Sequence, residues 1–314
     1  MNAAAGGDKG RVRTVEVGAD ADGQRIDNFL LRELRGVPRT RIYRLLRRGE
    51  VRVNGGRARP ARRLASGDRV RIPPVRAERY ADGALPAHLL GRLRDAVLYE
   101  DADALVIDKP AGLAVHAGTG LGGGVVDGLR TLRPDIGRLE LVHRLDRDTS
   151  GCLLLAKGRP ALRRLQEALR RGELEKTYRA LLVGTWPGPE ATVDAPLRRD
   201  VLQSGERMVR VDPAGRAACS HFRHLRAGQG LTLVEVRIET GRTHQIRVHA
   251  AHLGYPVAGD RKYGDPGAER RAIGRAAPRL WLHASRLGFP GAQGPVVVES
   301  PLPDELESAV GARA

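Results

Sequence analysis

His143-Arg144-Leu145-Asp146-Arg147-Asp148-Thr149-Ser150-Gly151 concentrates two carboxylates, two guanidiniums and an imidazole between two apolar stretches, residues 139–142 and 152–155. A link between two core strands needs no more than a short turn such as Asn-Gly. Polar groups packed this densely on rigid anchors suit an active-site loop, in which one ionised carboxylate can act as nucleophile or base. The same residues fit a salt-bridged turn equally well, with Thr149-Ser150-Gly151 supplying the turn chemistry. A second polar segment, Thr240-Gly241-Arg242-Thr243-His244-Gln245-Ile246-Arg247-Val248-His249, joins a strand to a helix, with Thr243 suited to the N-cap. Arg247 then falls in the first helical turns, where the macrodipole disfavours a cation by about 0.3–1 kcal/mol. A carboxylate partner such as Asp146 would reverse that penalty, and the arginine would in turn keep the aspartate ionised.

Two other patterns suggest chemistry that their context does not support. His249 and His252 share a helix side with Ile246 and Leu253, while His244 points away, and no cysteine is close; no metal site is expected there. Gly118-Thr119-Gly120-Leu121-Gly122-Gly123 matches a dinucleotide-binding glycine pattern, yet it does not directly follow the first strand of a βαβ unit. A glycine-rich loop without a cofactor is expected.

The formal charge of +17 and pI near 11.0 call for a polyanionic partner. The excess is concentrated. Residues 24–76 hold sixteen Arg and no Lys against four acids, Asp27, Glu33, Glu50 and Asp68, a net +12. Ile26, Phe29, Leu30 and Leu34 recur at helical spacing, with Asp27 suited to the first turn. Pro38 and Thr40 open a second helix with an apolar face of Ile42, Leu45 and Leu46, ended by Gly49. Its opposite side carries Arg41, Arg44, Arg47 and Arg48, with no carboxylate at i+4 to relieve them. Residues 51–55 and 68–72 read as strands. Aromatics are scarce, so phosphate contact with structured nucleic acid fits better than a base-stacking platform. The runs Gly23-Gln24-Arg25-Ile26-Asp27-Asn28-Phe29-Leu30, Val37-Pro38-Arg39-Thr40-Arg41-Ile42-Tyr43 and Arg48-Gly49-Glu50-Val51-Arg52-Val53-Asn54-Gly55 resemble the small RNA-binding domain shared by a small-subunit ribosomal protein, bacterial tyrosyl-tRNA synthetases and many pseudouridine synthases. That resemblance implies two helices on a small sheet, docked on folded RNA.

Around the two polar segments the chain alternates strands with a few helices. Strands are predicted at 96–99 and 104–107, flanking an acidic turn, and at 151–156, 177–183, 220–225 and 231–238. Helices are predicted at 125–132, 161–170 and 243–253. Strands that follow one another without a helix imply an α+β fold with a mixed, mostly antiparallel sheet. The expected division is a disordered leader (1–13), a small basic RNA-binding domain of helix-helix-hairpin type (14–76), a linker (77–91), a catalytic domain (92–308) and a tail (309–314). Cys152 and Cys219 read as buried structural thiols. No apolar run is long enough to cross a membrane, and the N-terminus lacks the apolar core of a signal peptide, so a cytoplasmic protein is expected.

Together the two polar segments resemble the RluA-type ribosomal large-subunit pseudouridine synthases. The match runs nearly end to end with the subfamily called pseudouridine synthase C. It includes Asp108-Lys109-Pro110-Ala111-Gly112, Glu140-Leu141-Val142-His143-Arg144-Leu145-Asp146, Gln203-Ser204-Gly205-Glu206-Arg207 and Asp260-Arg261-Lys262-Tyr263-Gly264. The resemblance implies that Asp146, not Asp148, is the catalytic aspartate, that Arg247 is its partner, and that Tyr178 packs under the target uracil. It implies that Arg144 enters the space left by a flipped base. Tyr178 shares a strand face with Ala180 and Leu182, opposite Arg179, which suits an inward aromatic. The implied reaction isomerises uridines in 23S ribosomal RNA and needs no cofactor and no metal. The expected partner is 23S RNA or a large-subunit assembly intermediate, met by a monomer. Two other classes fit parts of the pattern: a non-catalytic rRNA-binding or assembly protein, and a metal-dependent nuclease using Asp146, Asp148 and the histidines.

Overall fold

The computed structural model describes residues 12–34, 37, 39–75, 85–116, 123–201 and 207–311. Outside them lie the expected leader up to residue 11, Pro38 at the expected start of the second helix, residue 76, much of the expected linker (77–84), the glycine-rich loop at 117–122, residues 203–206 of the Gln-Ser-Gly-Glu-Arg run, and 312–314. The chain divides into two compact units, Met1–Gly83 and Ala84–Ala314.

In the first unit β1 (Arg13–Glu16), α1 (Ile26–Glu33), α2 (Arg39–Arg48), β2 (Arg52–Val53), β3 (Gly56–Arg57) and β4 (Arg69–Ile72) follow in order. The strands make one antiparallel sheet, β1-β4-β2-β3. The helix spacing read from the sequence is realised: Ile26, Phe29 and Leu30 meet Ile42, Leu45 and Leu46 in a core closed by Val53, Val70 and Ile72. Arg13, placed in the leader by sequence reading, instead pairs with Ile72. Asn54 and Gly55 both take positive φ, 51° and 80°, which turns β2 tightly into β3. Asp27 does more than complement a helix dipole. It is buried and accepts hydrogen bonds from Arg25 Nη2 (2.8 Å), the Tyr43 hydroxyl (2.6 Å) and the Asn28 amide (3.0 Å). The Arg25 bonds outweigh burial and hold its carboxyl at about 2, so a charged knot ties α1 to α2.

The second unit begins with α3 (Ala87–Arg94), where sequence reading placed the end of a linker. Its Leu93 is fully buried, a burial that the glycine and prolines around it conceal. β5 (Val97–Glu100) and β6 (Ala104–Lys109) form the expected hairpin. Then come α4 (Val125–Leu132), β7 (Leu139–Leu141), β8 (Ser150–Lys157), α5 (Arg159–Arg170), β9 (Glu175–Val183), β10 (Glu190–Asp194), β11 (Leu197–Val201), β12 (Arg207–Val211), β13 (Cys219–Gly228) and β14 (Leu231–Ile238). The chain ends with α6 (Gln245–His252), α7 (Pro266–Ile273), β15 (Leu282–Gly291), β16 (Gly294–Glu299) and α8 (Asp304–Ser308). Ten strands make one sheet in the order β10-β13-β14-β9-β15-β8-β6-β5, with β16 on β15 and β7 on β8; β11 and β12 pair apart. The α+β expectation holds, since β15–β8 is the one parallel pairing among the described strands. β11 and β12 escape the pattern reading because they are charged: Arg198 pairs with Asp212 and Arg210 with Asp200 across the ribbon. The expected tail is packed as well, with Val310 buried beside Leu306 in an apolar cluster.

The parallel contact constrains the site. Gly151, the second residue of β8, has φ +103°, and a Cβ there would lie 2.2 Å from the Ala284 carbonyl oxygen of β15. Only glycine lets the end of the His-Arg-Leu-Asp loop enter the sheet this closely. Gly151→Ala should therefore destabilise the chain by about 1–3 kcal/mol through backbone strain alone, with the clash added, whereas an unstrained Gly→Ala change would stabilise it. A lowered urea midpoint checks this; a midpoint equal to wild type would mean that the strands do not pack this closely.

Candidate active site

Three segments meet at one end of the central strands. The loop 143–149 leads into β8, Tyr178 lies on β9, and residues 239–244 carry the chain from β14 into α6. Between them is an open cleft. Arg144, Asp146, Tyr178, Arg242, His244 and Arg247 line it.

Arg247 Nη1 donates to Asp146 Oδ2 at 3.2 Å, the pairing that its position in the first turn of α6 calls for. A second carboxylate, which sequence reasoning missed, grips it harder. Arg247 Nε and Nη2 donate to the two oxygens of Asp260, each at 2.7 Å. Asp260 also accepts the backbone N–H groups of Lys262 (2.9 Å) and Tyr263 (3.1 Å), and its side chain is 0% exposed. Burial opposes the charge on both residues, but their mutual hydrogen bonds prevail. Asp260 is held below the usual carboxylate range and Arg247 above its ordinary value. The Tyr263 ring packs against the guanidinium, 5.1 Å from its centre. Asp146 is the more open of the two acids, 27% exposed and facing the cleft. The Asp260-Arg261-Lys262-Tyr263 run was legible as an aspartate closing its own turn, but nothing local names its partner thirteen residues earlier.

Thr243 is not the N-cap of α6. His244 occupies that position, in the left-handed region at φ 54° and ψ 21°. A non-glycine residue there is strained, and such strain clusters at functional sites. Its Nδ1 shares a 2.7 Å hydrogen bond with the Tyr263 hydroxyl, and its Nε2 is 3.8 Å from Asp146 Oδ2. Burial, only partly offset by Asp146, pushes the imidazole pKa below its ordinary value. His249, by contrast, is structural: it is buried, with one ring nitrogen bonded to Ser220 Oγ and the other to the Ala195 carbonyl, each at 3.0 Å. His244 and His249 thus spend their ring nitrogens on different partners.

Within the loop the two aspartates part company. Asp148 faces out and pairs with Arg147 at 3.1 Å, away from the cleft lining. His143 accepts the Leu154 amide at 3.2 Å, and burial pulls it down to about 4; its job is to hold the loop against β8. Lys109, also unassigned by sequence reasoning, is fully buried. Its ammonium donates to the carbonyls of Pro110 (2.9 Å), Leu113 (2.9 Å) and Arg147 (3.0 Å). The last of these is the residue after Asp146, so a buried cation pins the loop from beneath. Tyr178 is buried with Ala180 and Leu182, as its strand face predicts, and its ring borders the cleft. Burial, with Asp146 beside it, raises its phenol and keeps it neutral. Arg144 is exposed at the rim. Arg44, Arg47 and Arg48 are exposed on α2 of the first unit, with Arg48 3.9 Å from Glu50; the Arg41 side chain lies outside the described residues.

Residues 103–252 match the RNA pseudouridylate synthase family model, and residues 24–70 match the S4 domain. A ribosomal large subunit pseudouridine synthase C of Escherichia coli (strain K12) is 49% identical over 302 residues, covering 94% of this chain and 95% of its own. Its namesake in Pasteurella multocida is 46% identical over 305 residues, covering 96% and 94%. The chain belongs to the RNA pseudouridylate synthase family. Among solved structures, human RNA Pseudouridylate Synthase Domain Containing 4 superposes with a TM-score of 0.57 at 26% identity, over 71% of this chain and 94% of that one. Human RNA Pseudouridylate Synthase Domain Containing 1, at 24% identity and a TM-score of 0.58 over 69% and 88%, shares the fold. As a pseudouridine synthase the chain is an isomerase, with an RNA-binding S4 domain ahead of its catalytic unit.

Lys109 offers a test of how this synthase holds its loop. Burial draws its ammonium down to about 7 from 10.5. Between those values the unfolded chain holds the proton and the folded chain does not, so stability rises with pH through that window. Below about 7 both states are protonated and the burial penalty is complete. Lys109→Met should abolish that rise and leave three buried carbonyls without a donor, at about 1–3 kcal/mol for an orphaned group. Pseudouridine formation should fall with it as the loop slips. Urea midpoints of both proteins across the window check this; parallel pH profiles would mean that the ammonium is not desolvated.

Proposed function

We propose that this pseudouridine synthase converts specific uridines of 23S ribosomal RNA, free or in a large-subunit assembly intermediate, with Asp146 as its catalytic carboxylate. The observation that supports this most directly is the asymmetric clamp on Arg247: Asp260 fixes the guanidinium from the buried side, and the free Nη1 presents Asp146 to the cleft. Relatives named as ribosomal large subunit enzymes, similar along almost the whole chain, support the substrate class.

In the reaction the bond from ring nitrogen to sugar breaks, the uracil turns, and carbon-5 bonds to the sugar. Carbon-5 loses a proton and the freed nitrogen gains one. Atoms and electrons balance, so no oxidant, nucleotide or metal is consumed. Asp146, hydrogen-bonded to Arg247, supplies nucleophile or base. Tyr178 offers the uracil a neutral aromatic surface. The target must leave its stack to reach Asp146, at a cost of a few kcal/mol, and Arg144, exposed at the rim, enters the vacated space. Phosphate contacts from Arg41, Arg44, Arg47 and Arg48 of the S4 domain offset that cost. The enzyme works as a monomer in the cytoplasm, where its ribosomal substrate is made; no described helix is long and apolar enough to cross a membrane.

Asp146→Asn should lower single-turnover pseudouridine formation on a 23S RNA fragment at least about a hundredfold with RNA binding intact. Asp148→Asn, whose side chain faces away, should stay within a few-fold of wild type. The reverse ranking would overturn the assignment. Arg44→Ala and Arg48→Ala should each reduce the salt slope of RNA binding by about one and leave the rate at saturating RNA unchanged. Binding measured at several salt concentrations decides this; unchanged slopes would assign the stripe to another partner.

A further inference from the structure

Cys219 does not behave as the buried structural thiol its surroundings suggested. Cys152 is buried, but Cys219 is only half-buried, and it has company. Cys219 and His221 stand two residues apart on β13, so their side chains leave the same face of the sheet. Cys219 Sγ is 3.6 Å from His221 Nε2, and that nitrogen is 2.7 Å from Oε1 of Glu239, the residue after β14. One donor atom from each of the three residues lies within 4.8 Å of the other two. On the neighbouring strand β10, Thr192 faces His221 in register and Asp194 faces Cys219. Arg237 is the cation nearest in register, opposite His221 on β14.

We propose that Cys219, His221 and Glu239 form a zinc site on this face of the sheet, with water or Asp194 in the fourth position. The donor set is that of zinc, since a thiolate and an imidazole disfavour magnesium and calcium, which take oxygen ligands. The spacing fits too. Tetrahedral zinc with ordinary bond lengths holds sulfur and nitrogen roughly 3.6 Å apart, and the Cys219–His221 separation already has that value; only Glu239 must draw back from its hydrogen bond. The ring is oriented for the task. Thr192 Oγ1 lies 3.0 Å from His221 Nδ1, the outer-shell contact that fixes a ligating imidazole with Nε2 free for the metal. All three ligands sit on or next to paired strands, which keeps them together without an ion.

The site is separate from Asp146, and the isomerisation needs no metal from it. It is nonetheless wired to the cleft wall. The Cys219 amide donates to Thr240 Oγ1 (3.2 Å), and the Cys219 carbonyl accepts from Gln245 Nε2 (2.9 Å). Gln245 Oε1 in turn accepts from the Thr240 hydroxyl (2.7 Å) and the Arg242 amide (3.0 Å). An ion joining Glu239 to β13 would brace the 239–242 turn at both ends.

The test uses untagged full-length protein stripped with a chelator. Zinc is titrated against a chromogenic competitor, and cobalt is then bound as a spectroscopic substitute. The expected result is one tight site per chain, a thiolate-to-cobalt charge-transfer band, and a zinc-dependent rise in melting temperature. Cys219→Ser and His221→Ala should each weaken zinc binding at least tenfold and remove the rise, with the metal-free melting temperature kept as the check on folding. Asp194→Asn should matter less. Pseudouridine formation by the stripped wild type should persist, which separates this site from the catalytic reading. A cobalt spectrum without the thiolate band, or equal zinc affinity in wild type and Cys219→Ser, would overturn the proposal, and the spectrum does so even if a variant fails to fold.

Discussion

The catalytic unit turns on one cation shared by two carboxylates. Arg247 sits in the first turn of α6, 11% exposed, where both burial and the helix dipole oppose a positive charge. It is tolerable there because Asp260 meets it in a two-pronged hydrogen bond and Asp146 takes the remaining arm. Removing Asp260 would leave a partly desolvated charge short of its main partner, the circumstance in which buried ion pairs become strongly destabilising. The position of Asp146 is therefore set by three separate stretches of chain. Its own loop is held from below by Lys109, α6 brings the arginine, and the turn after Gly259 brings Asp260. That turn is itself crowded: a Cβ at Gly259, φ +75°, would lie 1.8 Å from the Arg279 carbonyl oxygen.

What the sequence displayed was whatever obeyed a local rule. The two helices of the first unit follow from the spacing of Ile26, Phe29, Leu30, Ile42, Leu45 and Leu46. The inward Tyr178 follows from strand alternation, and the need of Arg247 for a carboxylate follows from its place in a helix. Long-range partners were not legible, since nothing near residue 260 signals an arginine at 247, and nothing near Lys109 signals a carbonyl at 147. Strands went unseen where charge replaced the apolar pattern, as in β11 and β12. Thr243 looked like a cap because threonine is favoured there; the cap is instead His244, in the left-handed region.

The same contrast between local and distant control runs through the S4 unit. Its helices carry ordinary amphipathic patterns, yet their mutual fit includes a buried ionised Asp27 shared by Arg25 and Tyr43. Such a knot gives little net stability for the desolvation it entails. The exposed arginines of α2 thereby project from a face whose orientation is fixed by its own core.

β15 carries a consequence for how the enzyme comes into being. It lies between β8 and β9, although it is made more than a hundred residues after either begins. During vectorial synthesis the His-Arg-Leu-Asp loop and Tyr178 emerge early, but the strand that joins their halves of the sheet arrives only near the end of translation. Until then β9 keeps a long apolar edge open, and β8 a short one at Ser150 and Gly151, a state prone to mispairing. The two strands that carry the loop and Tyr178 are thus joined into one sheet only once the chain has been made as far as β15.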